Sequence, residues 1–93
     1  MMIDLEQFLA QSGIDGATME HWYTRTWIAF PQESARGEIS EVDAARAVFI
    51  RDLQNDMGVN DEGIDVVLHL VDQLHGLRRA MAIFRKESAT RHG

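Results

Sequence analysis

The chain has 93 residues, 45% of them hydrophobic, with a formal net charge of −6 and no cysteine. That length holds one domain, and that apolar fraction excludes a disordered chain. The missing cysteines exclude disulfides and thiolate metal sites, and fit a reducing cytoplasm. The N-terminus lacks the basic-then-apolar order of a secretory signal, and no apolar run reaches membrane-spanning length. A soluble cytoplasmic protein is therefore expected.

Charge is unevenly placed. Residues 1–77 carry 14 acidic and 4 basic side chains, net −10, whereas residues 78–93 carry 1 and 5, net +4. An acidic body repels phosphate backbones and attracts basic protein surfaces.

In chain order, Asp4 caps a first helix whose apolar face is Leu5, Phe8 and Leu9, and Asp4 with Gln7 has capping-box spacing. Gly13 suits the left-handed stop after Ser12. Asp15 caps a short second helix over Gly16 to Thr24, with Met19, Trp22 and Tyr23 on its apolar side. The outline is helix-turn-helix. The run Trp27 to Pro31 reads as a strand, the segment Gln32 to Gly37 as a polar tip, and Glu38-Ile39 as a returning strand. Together they make a small wing. Ser40 caps a third helix with Val42, Ala45, Phe49 and Leu53 as its expected buried stripe and Val48 alongside; Gly58 closes it. The last helix starts at Asn60 or Asp61 and is expected to run to about Lys86, with the remainder fraying. The chain thus divides into helix-turn-helix plus wing (3–39), third helix (40–58) and long C-terminal helix (60–86), within one mostly all-α domain.

On the last helix Val67, Leu70, Leu74, Leu77, Met81 and Phe84 recur at alternating spacings of three and four, the a/d rhythm of a helix that meets another along its length. Leu70, Leu74, Leu77, Met81 and Phe84 are the candidate homodimer interface. Gly76 lies beside this seam rather than on it.

Helix, turn, helix, wing and helix pair, in this order and length, resemble the MerR-type winged helix. SEVDAARAVFIRDLQNDMG is similar to that superfamily's segment after the wing, D-x-x-R-x-x-x-I-x-x-L, carried here by Asp43, Arg46, Ile50 and Leu53. Within the superfamily, the run from Val42 to Leu77 looks most like the CbpM-type chaperone modulators. Their D-x-G-I-x-V-x-L-x-L-x-D-x-x-x-x-L falls on Asp61, Gly63, Ile64, Val66, Leu68, Leu70, Asp72 and Leu77. The N-terminal third matches only in outline. The resemblance implies a MerR-like winged helix-turn-helix, antiparallel pairing through the last helix, and binding to the J-domain of a DnaJ-like co-chaperone.

A J-domain's second helix is basic and is the surface its DnaK-type chaperone uses. Asp52 and Asp56, one helical turn apart, and Asp61, Glu62 and Asp65 across the Gly58 break, are the candidate carboxylates for masking it. Solvated helix faces and acids favoured by the dipole at a helix start explain the same residues without a partner. Trp22, Tyr23, Trp27 and Phe30 fall within nine residues. They either fasten the wing to the core or supply an exposed anchor, for which Trp27 is the candidate.

The alternative function is a dimeric DNA-binding regulator using His21, Arg25 and Arg36, but so few cations give a duplex little to hold. His69 and His75 are six residues apart, off a common helix face, and no metal-ligand, nucleophile or phosphate-loop motif occurs. The expectation is a protein-binding chaperone modulator, with no cofactor and no catalysis.

Overall fold

The computed structural model of the chain describes residues 1–31 and 36–92, the side chains of 89–92 excepted. The elements are β1 (Met2–Asp4), α1 (Leu5–Ser12), α2 (Gly16–Thr24), β2 (Glu38–Ser40), α3 (Glu41–Asn55) and α4 (Asp61–His92). They divide into two compact units, Met1–Asn60 and Asp61–Gly93. The chain is mostly helical, with one small antiparallel sheet.

Helix starts in the first unit follow side-chain caps. Asp4 Oδ1 accepts from the Glu6 backbone N–H, Asp15 Oδ1 from Thr18 at 2.7 Å, and Ser40 Oγ from Asp43 at 3.1 Å. Each satisfies a donor that the first helical turn leaves without a partner. Gly13 ends α1 at φ 74°, its N–H donating to the Leu9 carbonyl. Helices α1 and α2 are therefore joined by Gly13, Ile14 and Asp15 alone.

The end of α2 is unusual. The Trp27 N–H donates to the Trp22 carbonyl and the Thr26 N–H to the Tyr23 carbonyl, the paired bonds of a Schellman stop. The left-handed residue in that stop is Thr26, at φ 60°. This turn corrects the expected strand at Trp27 to Pro31. The backbone donors of Thr26 and Trp27 close the helix, and Trp27 and Ile28 turn inward, 4% and 1% exposed.

The second strand is real but its partner is not the one expected. Glu38–Ser40 pairs antiparallel with Met2–Asp4, in the register Met2 with Ser40, Ile3 with Ile39 and Asp4 with Glu38. The Leu5 N–H to Gly37 carbonyl and the Glu41 N–H to Met1 carbonyl extend the ladder at both ends. A wing built from Trp27–Phe30 and Glu38–Ile39 is thus replaced by a sheet between the N-terminus and the approach to α3. Of the expected polar tip, residues 32–35 lie outside the described residues.

The core of this unit gathers Phe8 and Ile14, the α2 side chains Met19, Trp22 and Tyr23, then Ile39 and the α3 residues Ala44, Ala47 and Ile50. Helix α3 therefore presents a different face from the one expected. Val42 and Phe49 are 77% and 39% exposed, Ala45 is exposed, and Val48 and Leu53 are half-buried. Two arginines explain the choice of face. Arg46 Nε donates to the Trp27 carbonyl at 2.6 Å, and Arg51 Nη1 to the Ser12 carbonyl at 2.7 Å. The Ser12 carbonyl belongs to the last turn of α1, where no intrahelical donor remains. Ala44 and Ala47 are buried on α3 beside the turns from which these guanidiniums reach the carbonyls.

In the second unit, α4 runs 32 residues to His92. The helix does not stop near Lys86, because Glu87, Ser88 and Ala89 contain no breaker. Ile64 and Leu68 are buried, and the residues that follow become increasingly open.

Candidate partner-binding surfaces

Val42, Ala45, Phe49, Asp52 and Asp56 recur on α3 at spacings of three, four, three and four, so they share one face. That face is apolar at its N-terminal end and acidic at its C-terminal end. Phe49 and Asp52 are one turn apart, and the Asp52 side chain is 50% exposed. Arg51 sits against Asp52: its Nε and Nη2 donate to Asp52 Oδ1 at 3.1 and 2.9 Å. Part of the Asp52 charge is thereby compensated, and its carboxylate is held in place by a guanidinium fixed to Ser12. Asp56 is exposed at the helix end, its N–H donating to the Asp52 carbonyl.

Asp61, Glu62 and Asp65 occupy the first turns of α4, with Asp61 and Asp65 four residues apart on one side of that helix. Glu62 and Asp65 are exposed and Asp61 is half-buried. Further along α4, Leu70, Leu74, Leu77, Met81 and Phe84 are 56%, 45%, 62%, 47% and 66% exposed. Ile83 is open as well, and Val67 is half-buried. His69 and Gln73 lie 3.1 Å apart as a surface pair on one turn, an ordinary helix-face contact.

Trp27 is enclosed, not presented. The His21 ring meets it edge-on at 5.9 Å, and the Arg25 guanidinium lies 5.4 Å from its centroid. An exposed anchor at Trp27 is corrected on this ground: the side chain fills the turn after α2. The aromatic ring that is open is Phe30, 65% exposed and stacked on Tyr23 at 4.8 Å. Sequence reasoning gave Phe30 no role of its own, because an aromatic beside a proline reads like the rest of an apolar run. Of the residues considered for nucleic acid, His21 and Arg36 are exposed, and Arg25 is half-buried beside Trp27.

The Tyr23 phenol and the Asp15 carboxyl are shifted from their ordinary values. Burial raises the Tyr23 phenol above its usual 10, and the charges of Asp43 and Glu20 push the same way. The hydrogen bonds from Thr18 hold the Asp15 carboxyl below its usual 3.8. Among the described residues no cluster of three or more His, Asp or Glu could hold a metal ion, and no helix is long and apolar enough to cross a membrane. No protein family, curated protein or solved structure was found to match the chain.

Proposed function

We propose that the chain is a chaperone modulator, which binds the J-domain of a DnaJ-like co-chaperone and inhibits it by masking its basic surface. The observation that carries this reading is the outward face of α3, where Val42 and Phe49 stand exposed in line with Asp52 and Asp56. A basic amphipathic helix is the complement of such a face. Its apolar side chains would cover Phe49, and its cations would meet the carboxylates. The charges raise the encounter rate and exclude wrong partners, while burial of Phe49 slows release. Asp61, Glu62 and Asp65 add carboxylates of the same sign. The helix pair α1 and α2, followed by β2 and α3, is read as a variant of the MerR-like winged helix-turn-helix, in which the β1–β2 pairing stands in place of the expected wing, turned to protein binding in the cytoplasm.

Pairing of two copies through α4 belongs to the same reading. The helix is acidic toward its start, at Asp61, Glu62, Asp65 and Asp72, and basic toward its end, at Arg78, Arg79, Arg85 and Lys86. An antiparallel partner sets each half beside its opposite. The five seam side chains are already about half covered within one chain, so pairing buries roughly the other half and contributes about 4–8 kcal/mol, no more than an association cost of about 4–15 kcal/mol. The expected dimer is therefore weak and salt-sensitive. Sedimentation velocity across a concentration series should show it, and L74E with L77E should leave only monomer. A wild-type chain that stays monomeric at every concentration contradicts the pairing.

Titration of the purified chain with an isolated J-domain tests the binding. D52K with D56K should abolish binding while circular dichroism keeps the native helix content, with a lower melting temperature because the Arg51 tie to Asp52 is lost. Binding that survives the reversal removes the α3 face. Specific, salt-sensitive binding to duplex DNA without J-domain binding would put the DNA-binding regulator in its place, acting through His21, Arg25 and Arg36.

A further inference from the structure

The first unit contains a cleft that the α3 face does not use. It has a volume of about 290 Å³, and its walls include Met2, Tyr23, Phe30, Pro31, Glu38 and Asp43. That size is at or below the lower end of small-molecule pockets, so it suits a single side chain better than a cofactor. Its aromatic wall is the stack of Tyr23 and Phe30, with centroids 4.8 Å apart and planes 22° from parallel. Tyr23 is buried and Phe30 is open, so the stack ends in a ring accessible from solvent. Glu38 and Asp43 are the charged groups in the lining, and no Lys or Arg is among the described residues that line it.

Asp43 is well placed by the backbone. It is the third residue of α3, and its N–H donates to the capping Ser40 Oγ at 3.1 Å. The carboxylate therefore hangs from a fixed helix turn, not from a loop. Apolar walls, an exposed aromatic face and two carboxylates form one consistent chemistry: they complement a flat cation on an apolar stem.

We propose that this cleft receives an arginine side chain from a partner protein. Its guanidinium stacks on Phe30 and donates to Asp43 and Glu38, and its methylene stem lies along Met2 and Pro31. Arginine fits better than lysine because its planar, weakly hydrated guanidinium stacks on a ring while its N–H groups still reach carboxylates. The cleft requires none of the carboxylates assigned to J-domain binding, so it stands whether or not that assignment does.

The test is an NMR titration of the full chain with N-acetyl-arginine methylamide, with the citrulline analogue as the neutral isostere. Resonances of Tyr23, Phe30 and Asp43 should move along a saturating curve with the arginine probe and much less with citrulline. D43N should weaken the arginine probe by about tenfold, the scale of one charge-assisted hydrogen bond. F30A should weaken it at least as much, and its exposed position keeps the fold intact by the unchanged remainder of the spectrum. No movement at these residues, equal movement with citrulline, or full affinity in F30A each overturns the proposal.

Discussion

Thr26 should be the most improvable residue in the first unit. It is β-branched and left-handed, at φ 60°, in the stop that ends α2. For a residue with a Cβ that conformation costs about 1–2 kcal/mol. Glycine removes this cost but loses about 0.5–1 kcal/mol of chain entropy on folding. T26G should therefore gain up to about 1.5 kcal/mol over the native residue. T26A keeps the Cβ and should gain little. The bonds from Thr26 and Trp27 to Tyr23 and Trp22 use backbone atoms, so both variants retain them. At about 4–8 °C per kcal/mol for a domain of this size, the melting temperature of T26G should exceed that of T26A by several degrees. Trp22 and Trp27, both buried, flank the turn and are the chain's two tryptophans, so their fluorescence reports unfolding at the right place. Denaturant unfolding that gives T26G no advantage over T26A would refute the strain argument.

Three further outcomes follow from the same geometry. Tyr23 is the chain's one tyrosine, so absorbance at the tyrosinate band reads it alone; its midpoint should lie above 10, and D43N should bring it down. Because its folded value is raised, its contribution to stability is complete below pH 10 and is lost as pH climbs through the folded value. R51M should destabilise the chain by about 1.5–3 kcal/mol in urea, since the guanidinium tie between the Ser12 carbonyl and Asp52 goes with it. G76A should stabilise α4 by about 1 kcal/mol, because a Cβ there meets nothing within 4 Å; unchanged dimer affinity would show that no partner backbone comes close at Gly76.

Local chemistry made much of this fold readable. Asp4, Asp15, Ser40 and Gly13 mark helix ends through bonds of two to four residues' reach, and all four do so here. What was not readable depended on distant partners. Strand β1 is three residues long and gains its identity only from Glu38–Ser40, far along the chain. The strand expected at Trp27–Pro31 failed because Thr26, with no glycine to announce it, turns left-handed. On α3, counting apolar residues chose Val42, Ala45 and Phe49 for the core. The packed side instead uses alanines and two arginines whose acceptors, the Trp27 and Ser12 carbonyls, lie 19 and 39 residues away.

That reversal bears on the proposed function, since it turns Phe49 outward beside Asp52; separately, the turn at Thr26 buries Trp27 and leaves Phe30 open. The candidate acids were visible in the sequence by charge and spacing. Their apolar neighbours were not, because exposure depends on which face the arginines select.

The central claim is inhibition by masking, and the direct measurement is the ATPase rate of a DnaK-type chaperone stimulated by a J-domain protein, with nuclease-treated chain added in increasing amounts. Stimulation should fall toward the basal rate as the chain reaches stoichiometry with the J-domain, and D52K with D56K should leave it intact. Stimulation that persists at excess wild-type chain would contradict masking of the J-domain.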